Sequence, residues 1–72
     1  MNEIDLHGFT HTEALFAAEN FVLTQSQDPM FQCRIIVGNS SHMQNLITGM
    51  LDMYKFRWYI PSWNVGEIIV SN

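Results

Sequence analysis

A strand, a turn and a helix start follow one another within ten residues, Ile4-Asp5-Leu6-His7-Gly8-Phe9-Thr10-His11-Thr12-Glu13. Apolar residues at positions 4 and 6 alternate with polar ones at 5 and 7, which is the period of a β-strand, and the glycine ends the alternation. The threonine and the last glutamate have the spacing of a capping box, in which each side chain accepts a hydrogen bond from the other's backbone N–H. The stretch therefore predicts a strand over 4–7 that leads into a helix.

The remaining chain continues this alternation of strand and helix. Helical spacing of apolar residues extends the first helix over about 11–26, and a β-branched run predicts a second strand over 31–37. A turn at 38–41 leads into a second helix over about 42–55, and two short strands at 57–60 and 67–70 flank a hairpin loop. Gly49 lies in the apolar stripe of the second helix, where glycine costs about 1 kcal/mol relative to alanine, so we expect it to permit a close contact.

The order β-α-β-α-β-β predicts an α/β two-layer sandwich. Two strand–helix–strand units in series favour parallel pairing of the first three strands, and the final hairpin adds an antiparallel strand. Two helices can cover one face of such a four-stranded mixed sheet and leave its other face open. No repeat, low-complexity tract or linker interrupts the pattern, so residues 1–72 are predicted to form a single domain.

Composition narrows the class of protein. Of the 72 residues, 47% are hydrophobic and only 14% are charged, which favours a folded chain over a disordered one. No apolar run approaches the ~20 residues of a membrane span, and residues 1–3 lack the basic start of a signal peptide, so we expect a cytoplasmic protein with no membrane partner. The single cysteine, Cys33, excludes an internal disulfide framework and a cysteine-built zinc site.

The net charge of −4 argues against a dedicated nucleic-acid binder, because contacts between basic side chains and phosphates supply much of such affinity. The chain has three basic residues, Arg34, Lys55 and Arg57, against seven acidic ones. A small basic patch on an acidic body is still compatible with these numbers. The positions of the three basic residues are therefore important.

The carboxyl edge of the predicted sheet gives a candidate site. Ligands gather beyond the carboxyl ends of parallel strands, and here His7 and Val37 each precede a turn and a helix N-terminus that favours an anion. An imidazole can transfer a proton near neutral pH, a carboxylate can orient it and an arginine can hold a phosphate, a combination that favours phosphodiester cleavage over acyl transfer. If the apolar side chains face the helices, the following residues share the open face of the sheet: Asp5, His7, Arg34, Arg57 and Tyr59.

Simpler interpretations stay open for most of these residues. An Asp-x-His pair on a strand is more often incidental than catalytic, and His42 at a helix start is as consistent with a solvated or capping side chain as with catalysis. We expect His11 to face solvent, whereas Tyr59 fits either a structural or a binding role. Three aromatic residues are expected to pack in the core rather than stack on bases: Phe56, Trp58 and Trp63.

Three motifs resemble the Smr (small MutS-related) domain family. The first is Asp5-Leu6-His7-Gly8 with Thr10 and Glu13-Ala14, which is similar to the family's Leu-Asp-Leu-His-Gly signature and its helix start Thr-x-x-Glu-Ala. The second is Ile35-Ile36-Val37-Gly38-Asn39-Ser40-Ser41-His42, which resembles Ile-Ile-x-Gly-x-Gly-x-His. The third is Asn64-Val65-Gly66, which resembles the Asn-x-Gly before the family's last strand. The resemblance spans about residues 4–70.

The resemblance implies a fold like the C-terminal domain of translation initiation factor 3. It also implies an endonuclease that nicks DNA or cleaves RNA, often messenger RNA on stalled ribosomes. Catalytic roles fall on Asp5, His7 and His42, and we expect His7 to act as general base or acid with Asp5 as its orienter. Only Asp5 offers a carboxylate at this site, so we expect no cofactor and leave a divalent metal open. Phosphate binding is expected from residues of the two turns and of the open face: Gly8, Gly38, Asn39, Ser40, Arg34, Arg57 and Tyr59.

A second function stays open because the chain departs from the family pattern. Asn39, Ser40 and Met43 stand where the family has a basic residue, a second glycine and a serine. Together with the net charge of −4, these changes favour a non-catalytic module that binds nucleic acid, a ribosome or a protein partner. A homo-oligomer formed through the open sheet face or an edge strand is compatible with either function.

Overall fold

A computed structural model describes residues 1–72, and it contains the six predicted elements in the predicted order. The prediction of a four-stranded mixed sheet with two helices is confirmed. No helix is long and apolar enough to cross a membrane. The elements are β1 Asn2–Asp5, α1 His11–Gln25, β2 Gln32–Ile36, α2 Ser41–Met53, β3 Arg57–Tyr59 and β4 Glu67–Ser71.

The sheet order is β1-β2-β4-β3, which corrects one predicted pairing. β1 and β2 pair in parallel as expected, but β4 lies between β2 and β3 and pairs antiparallel with both. The first three strands thus run in one direction, although the third does not contact the second. The central position suits β4 because its three middle residues, Ile68–Val70, are all buried, whereas β3 has only three residues and two of them are exposed.

The hydrophobic core lies between the sheet and the two helices. One cluster of 14 buried residues combines Ala14, Ala18 and Val22 of α1 with four larger side chains of α2 and the inward-facing residues of the strands. Because both helices contribute to this one cluster, they cover the same face of the sheet, and the opposite face is open. The small alanine side chains allow the backbone of α1 to lie close to the layer that it covers.

Two predictions about single residues are wrong. A Cβ atom added at Gly49 would meet no atom within 4 Å, so close packing does not explain this glycine. Trp63 is 72% exposed, whereas Phe56 and Trp58 are partly buried against the core as predicted. Trp63 misses the core because it lies in the turn between β3 and β4, which the Asn64 N–H closes by donating to the Pro61 carbonyl at 3.2 Å.

Both helices begin with a side-chain cap. In α1 the capping box is complete: Thr10 Oγ1 accepts from the Glu13 N–H at 3.2 Å, and Glu13 Oε1 accepts from the Thr10 N–H at 2.9 Å. In α2, Ser40 Oγ accepts from the Met43 N–H at 3.1 Å. These caps fix the two helix starts a few residues beyond the ends of β1 and β2, at the same edge of the sheet.

Candidate functional site

A cleft of about 390 Å³ opens where β1 and β2 end and the two helices begin. One wall is the turn after β1 with the start of α1, and the other wall is the turn after β2. The structure thus brings the two predicted turns together at one edge of the sheet. The polar and turn residues that line the cleft are His7, Gly8, Phe9, His11, Gly38, Asn39 and Ser40.

Glycine is needed at one position of each turn. Gly8 has a φ of +84° and Gly38 a φ of +70°, a region that residues with a Cβ atom rarely adopt. Ser40, which stands where the resembled family has its second glycine, has a φ of −88° and serves as the cap of α2. The backbone of this turn therefore accommodates a serine without strain.

The loop between β3 and β4 holds the Gly38 turn in place. The Gly66 carbonyl accepts from the N–H groups of Val37 and Gly38 at 2.8 and 3.1 Å. A Cβ atom at Gly66 would lie 3.2 Å from the Gly38 carbonyl oxygen, so the close approach depends on glycine. The Gly38 N–H is already paired with the Gly66 carbonyl, so this amide is not free to hold a phosphate. A bound anion would use the amides that follow it.

Those following amides, of residues 39–42, have no acceptor within the protein. Free N–H groups and the positive end of the helix dipole favour an anion at this point. α2 has no acidic residue in its first turn, whereas α1 carries Glu13, whose carboxylate takes the Thr10 amide. The hydrogen bonds from Thr10 hold the pKa of Glu13 below its ordinary value. Of the two helix N-termini, that of α2 is therefore the one whose amides are free to bind an anion.

All three histidines of the chain lie near this edge. His7 and His11 line the cleft, and the ring of His11 lies against that of His42 with 4.4 Å between the ring centroids. His11 is exposed as predicted, yet its proximity to a candidate catalytic histidine was missed. The predicted parallel pairing of β1 with β2 could have revealed this proximity, because His11 and His42 are in the first turns of two helices that start at the same edge of the sheet. No group of three or more His, Cys, Asp or Glu residues is placed to hold a metal ion.

The side chains of Asp5 and His7 are not paired with each other. Asp5 Oδ1 accepts from the backbone N–H of His7 at 2.9 Å, which forms an Asx-type turn at the end of β1. Asp5 lies beside Ile36 in the register of the open face, whereas His7 lines the cleft. The contact observed at Asp5 fixes the backbone of His7 and does not orient its imidazole.

The basic residues of the open face do not gather at the cleft. Arg34 lies between two carboxylates, with Nη1 3.1 Å from Glu3 Oε1 and Nε 3.0 Å from Glu67 Oε1, and the second contact lacks the alignment of a hydrogen bond. Arg57 and Tyr59 are on β3, at the opposite edge of the sheet from β1. Three strand spacings of about 4.8 Å separate these edges by roughly 14 Å. Neither residue lines the cleft.

Cys33, the only thiol, is buried in the core. Burial raises its pKa to about 11, so the thiol is protonated at neutral pH and is no nucleophile for a substrate in the cleft.

Comparison with known proteins yields no match, whether to a family model, to a curated protein or to a solved structure. The cleft itself is lined by two histidines, His7 and His11, and by Asn39 and Ser40, whose amides have no acceptor within the protein.

Proposed function

We propose that the chain is a Smr-like endonuclease that cleaves phosphodiester bonds of RNA or structured DNA in the cleft beyond β1 and β2. One observation carries the proposal: two histidines, His7 and His11, line the same cleft as Asn39 and Ser40, whose backbone amides are unpaired. Amides at a helix start suit a phosphate, and imidazoles suit proton transfer to and from the oxygens of the scissile bond. The resemblance of residues 5–8 and 38–42 to the Smr motifs supports the same reaction class.

Each residue of the cleft then has a role. His7, with an exposed ring in the cleft, is the general base or acid, and His42 with its neighbour His11 supplies a second imidazole for proton transfer. The amides of residues 39–42 hold the phosphate and stabilise the charge that develops on its oxygens. Asp5 fixes the backbone from which His7 projects.

Cleavage of end-labelled substrates tests the proposal. Single-stranded RNA and a structured DNA are incubated with wild type, His7→Ala and Asn20→Ala, each with magnesium and with EDTA. Asn20 is exposed on α1 and does not line the cleft, which makes it the control. We expect cleavage by wild type and the control, and a rate lower by about 10²- to 10⁴-fold in His7→Ala, as is typical for loss of a general acid or base.

Two results contradict the proposal. The first is a folded wild type that cleaves neither substrate in either buffer. The second is a His7→Ala variant that cleaves at the wild-type rate, since a contaminating nuclease would then account for the activity. Circular dichroism of each variant shows that the comparison is made between folded proteins, and the EDTA reactions report whether a divalent metal is required.

A non-catalytic binding module is the second candidate, and the ion pairs of Arg34 favour it. With Arg34 held by two carboxylates, only Lys55 and Arg57 remain without an ion pair, and neither lines the cleft. Such a module would bind nucleic acid, a ribosome or a protein through the same amides without using the histidines. For such a module we expect no cleavage by wild type. We also expect His7→Ala to bind the partner as tightly as wild type does.

A further inference from the structure

Asn39 and Ser40 form an asparagine–serine step in the turn between β2 and α2. Both residues are exposed, and Asn39 lines the cleft of about 390 Å³ as well as a smaller one of about 120 Å³ beside it. The side-chain amide of Asn39 makes no hydrogen bond within the protein, and the backbone N–H of Ser40 has no acceptor. These are the two groups that react with each other when an asparagine deamidates. At this step of the chain neither of them is held by a hydrogen bond.

Four of the other five asparagines are held by helices or by side-chain hydrogen bonds. Asn20 lies inside α1 and Asn45 inside α2, where the backbone N–H of the following residue belongs to the hydrogen-bond ladder of the helix. The side-chain amides of Asn2 and Asn72 each donate a hydrogen bond within the protein, at 2.9 and 3.0 Å. The reacting groups at these positions become free only when the structure opens locally.

Asn64 shows that exposure in a loop does not by itself free an asparagine. It is exposed between β3 and β4, yet its Nδ2 donates to Glu67 Oε2 at 2.7 Å and its Oδ1 accepts from the Gly66 N–H at 2.9 Å. The residue after it, Val65, is branched at Cβ and crowds its own nitrogen. Asn39 therefore differs from every other asparagine of the chain, because it is exposed, unbonded and followed by a small residue with a free N–H.

We propose that Asn39 is a site of spontaneous deamidation, through which the chain places a carboxylate in its own cleft. The Ser40 nitrogen attacks Cγ of Asn39, so that an N–Cγ bond forms, the Cγ–Nδ2 bond breaks and ammonia leaves with the Ser40 amide proton. Water then opens the cyclic imide at either of its two carbonyl carbons. The product is an aspartate, or an isoaspartate in which the backbone runs through the former side chain. Water is the only co-reactant.

The new carboxylate changes the charge of the cleft that His7 and His11 also line. It adds one negative charge to a net charge of −4 and would repel the phosphate of a substrate. This consequence rests on the proposed function, whereas the deamidation of Asn39 does not. If both hold, cleavage falls as the protein ages.

Peptide mapping by mass spectrometry tests the modification site. The protein is incubated at mildly alkaline pH, both folded and in guanidinium chloride, and is digested with trypsin after increasing times. Cleavage after Arg34 and Lys55 yields one peptide that contains both Asn39 and Asn45, so fragment ions compare the two positions within one molecule. We expect folding to slow conversion of Asn39 by about threefold or less and that of Asn45 by at least about tenfold, because Asn45 reacts only after local opening. Asn64, the exposed control, should be slowed as Asn45 is.

Two variants test the mechanism at the same position. Asn39→Gln should show no conversion on this timescale, because its longer side chain does not form the five-membered imide. Ser40→Thr keeps a hydroxyl that can cap α2 but crowds the attacking nitrogen, so conversion of Asn39 should be slower than in wild type. Equal slowing of Asn39 and Asn45 on folding, conversion of Asn64 as fast as that of Asn39, or wild-type conversion in Ser40→Thr would each overturn the inference.

The cleavage assay separates failure of this inference from failure of the proposed function. If cleavage depends on His7, Asn39→Asp should bind substrate about fivefold more weakly than Asn39→Gln, the factor for two like charges about 4 Å apart in water. Equal binding by these two variants overturns the consequence for cleavage. His7-dependent cleavage by a wild type whose Asn39 is protected overturns only the modification site. A wild type that converts Asn39 but cleaves neither substrate overturns the proposed function and supports the modification site.

Discussion

At the scale of the residue, two glycines outside the positive-φ region differ in what surrounds them. Gly49 has no neighbouring atom within 4 Å of an added Cβ, whereas a Cβ at Gly66 would lie 3.2 Å from the backbone oxygen of Gly38. Gly49→Ala should therefore raise the free energy of unfolding by about 1 kcal/mol through helix propensity alone. Gly66→Ala should lower it by about 1–3 kcal/mol, the usual cost of forcing atoms into a packed position.

Urea unfolding followed by circular dichroism measures both effects, and each variant is the control for the other. A Gly66→Ala protein as stable as wild type would show that the β3–β4 loop moves freely away from the Gly38 turn. The bonds from the Val37 and Gly38 N–H groups to the Gly66 carbonyl would then contribute little to holding this turn in place.

At the scale of the element, the capping box at the start of α1 makes part of the acid stability of the protein depend on the Glu13 carboxylate. The hydrogen bonds from Thr10 lower the pKa of Glu13 in the folded state. Their stabilising effect is fully present above the pKa of Glu13 in the unfolded chain, about 4.3, and is lost as pH falls through the lowered folded value. Glu13→Gln should thus be less stable than wild type at pH 7, and the difference should narrow towards pH 3.

Thermal unfolding of both proteins between pH 3 and pH 7 gives the comparison. Each of the other six carboxylates also accepts a hydrogen bond or pairs with Arg34, so the control in the same pH series is Asn20→Ala, an exposed and uncharged position of α1. A gap between wild type and Glu13→Gln that stays constant with pH would contradict a role for the charge of Glu13 in the capping box.

Elements with local signals were predicted from the sequence, and so was the parallel pairing of β1 with β2, but the position of β4 in the sheet was not. The capping spacing of Thr10 and Glu13 and the glycines at 8 and 38 fixed the helix starts and turns, and hence the meeting of the two turns at one edge. The insertion of β4 between β2 and β3 has no local signal other than the unbroken apolar run at 68–70. Trp63 was predicted in the core from its hydrophobicity, although its position after Pro-Ser in a loop favours the surface.

The same distinction applies to the candidate site. The turn that brings His7 to the cleft could be predicted, because Gly8 follows it directly. The side-chain geometry could not: Asp5 bonds to the backbone of His7 instead of its ring, and Arg34 is held by Glu3 and Glu67, one from each neighbouring strand. Those contacts depend on strand register and order, which the sequence does not state.

At the scale of the whole molecule, side chains of the sheet itself shield the face that the two helices leave uncovered. The accessible surface of 4574 Å² is close to the value of about 4,600 Å² that a monomer of 8.4 kDa typically has. Ile69 lies on this face yet is only 1% exposed, because Arg34 and Tyr59 flank it in register on the two neighbouring strands. Arg34 thus acts within the fold, where it joins β1 to β4 and shields the centre of the sheet.

The distribution of charge over the whole molecule predicts weak salt dependence of nucleic-acid binding. Of the three basic residues, Arg34 is paired within the sheet, which leaves Lys55 and Arg57. For single strands, log K falls with log[salt] with a slope of about −0.7 per neutralised phosphate, so two free cations give a slope no steeper than about −1.4. Fluorescence anisotropy titrations of a labelled single-stranded octanucleotide at 50, 100 and 200 mM KCl measure this slope. We expect Arg34→Gln to keep the wild-type slope. The variant should be less stable than wild type, because the substitution leaves the partly buried Glu67 without its ion-pair partner. A slope steeper than about −1.4 and approaching about −2.1, the value for three cations, or one that becomes shallower in Arg34→Gln, would mean that Arg34 leaves its carboxylates to contact phosphate. Binding would then be driven by basic side chains and not by the backbone amides of residues 39–42.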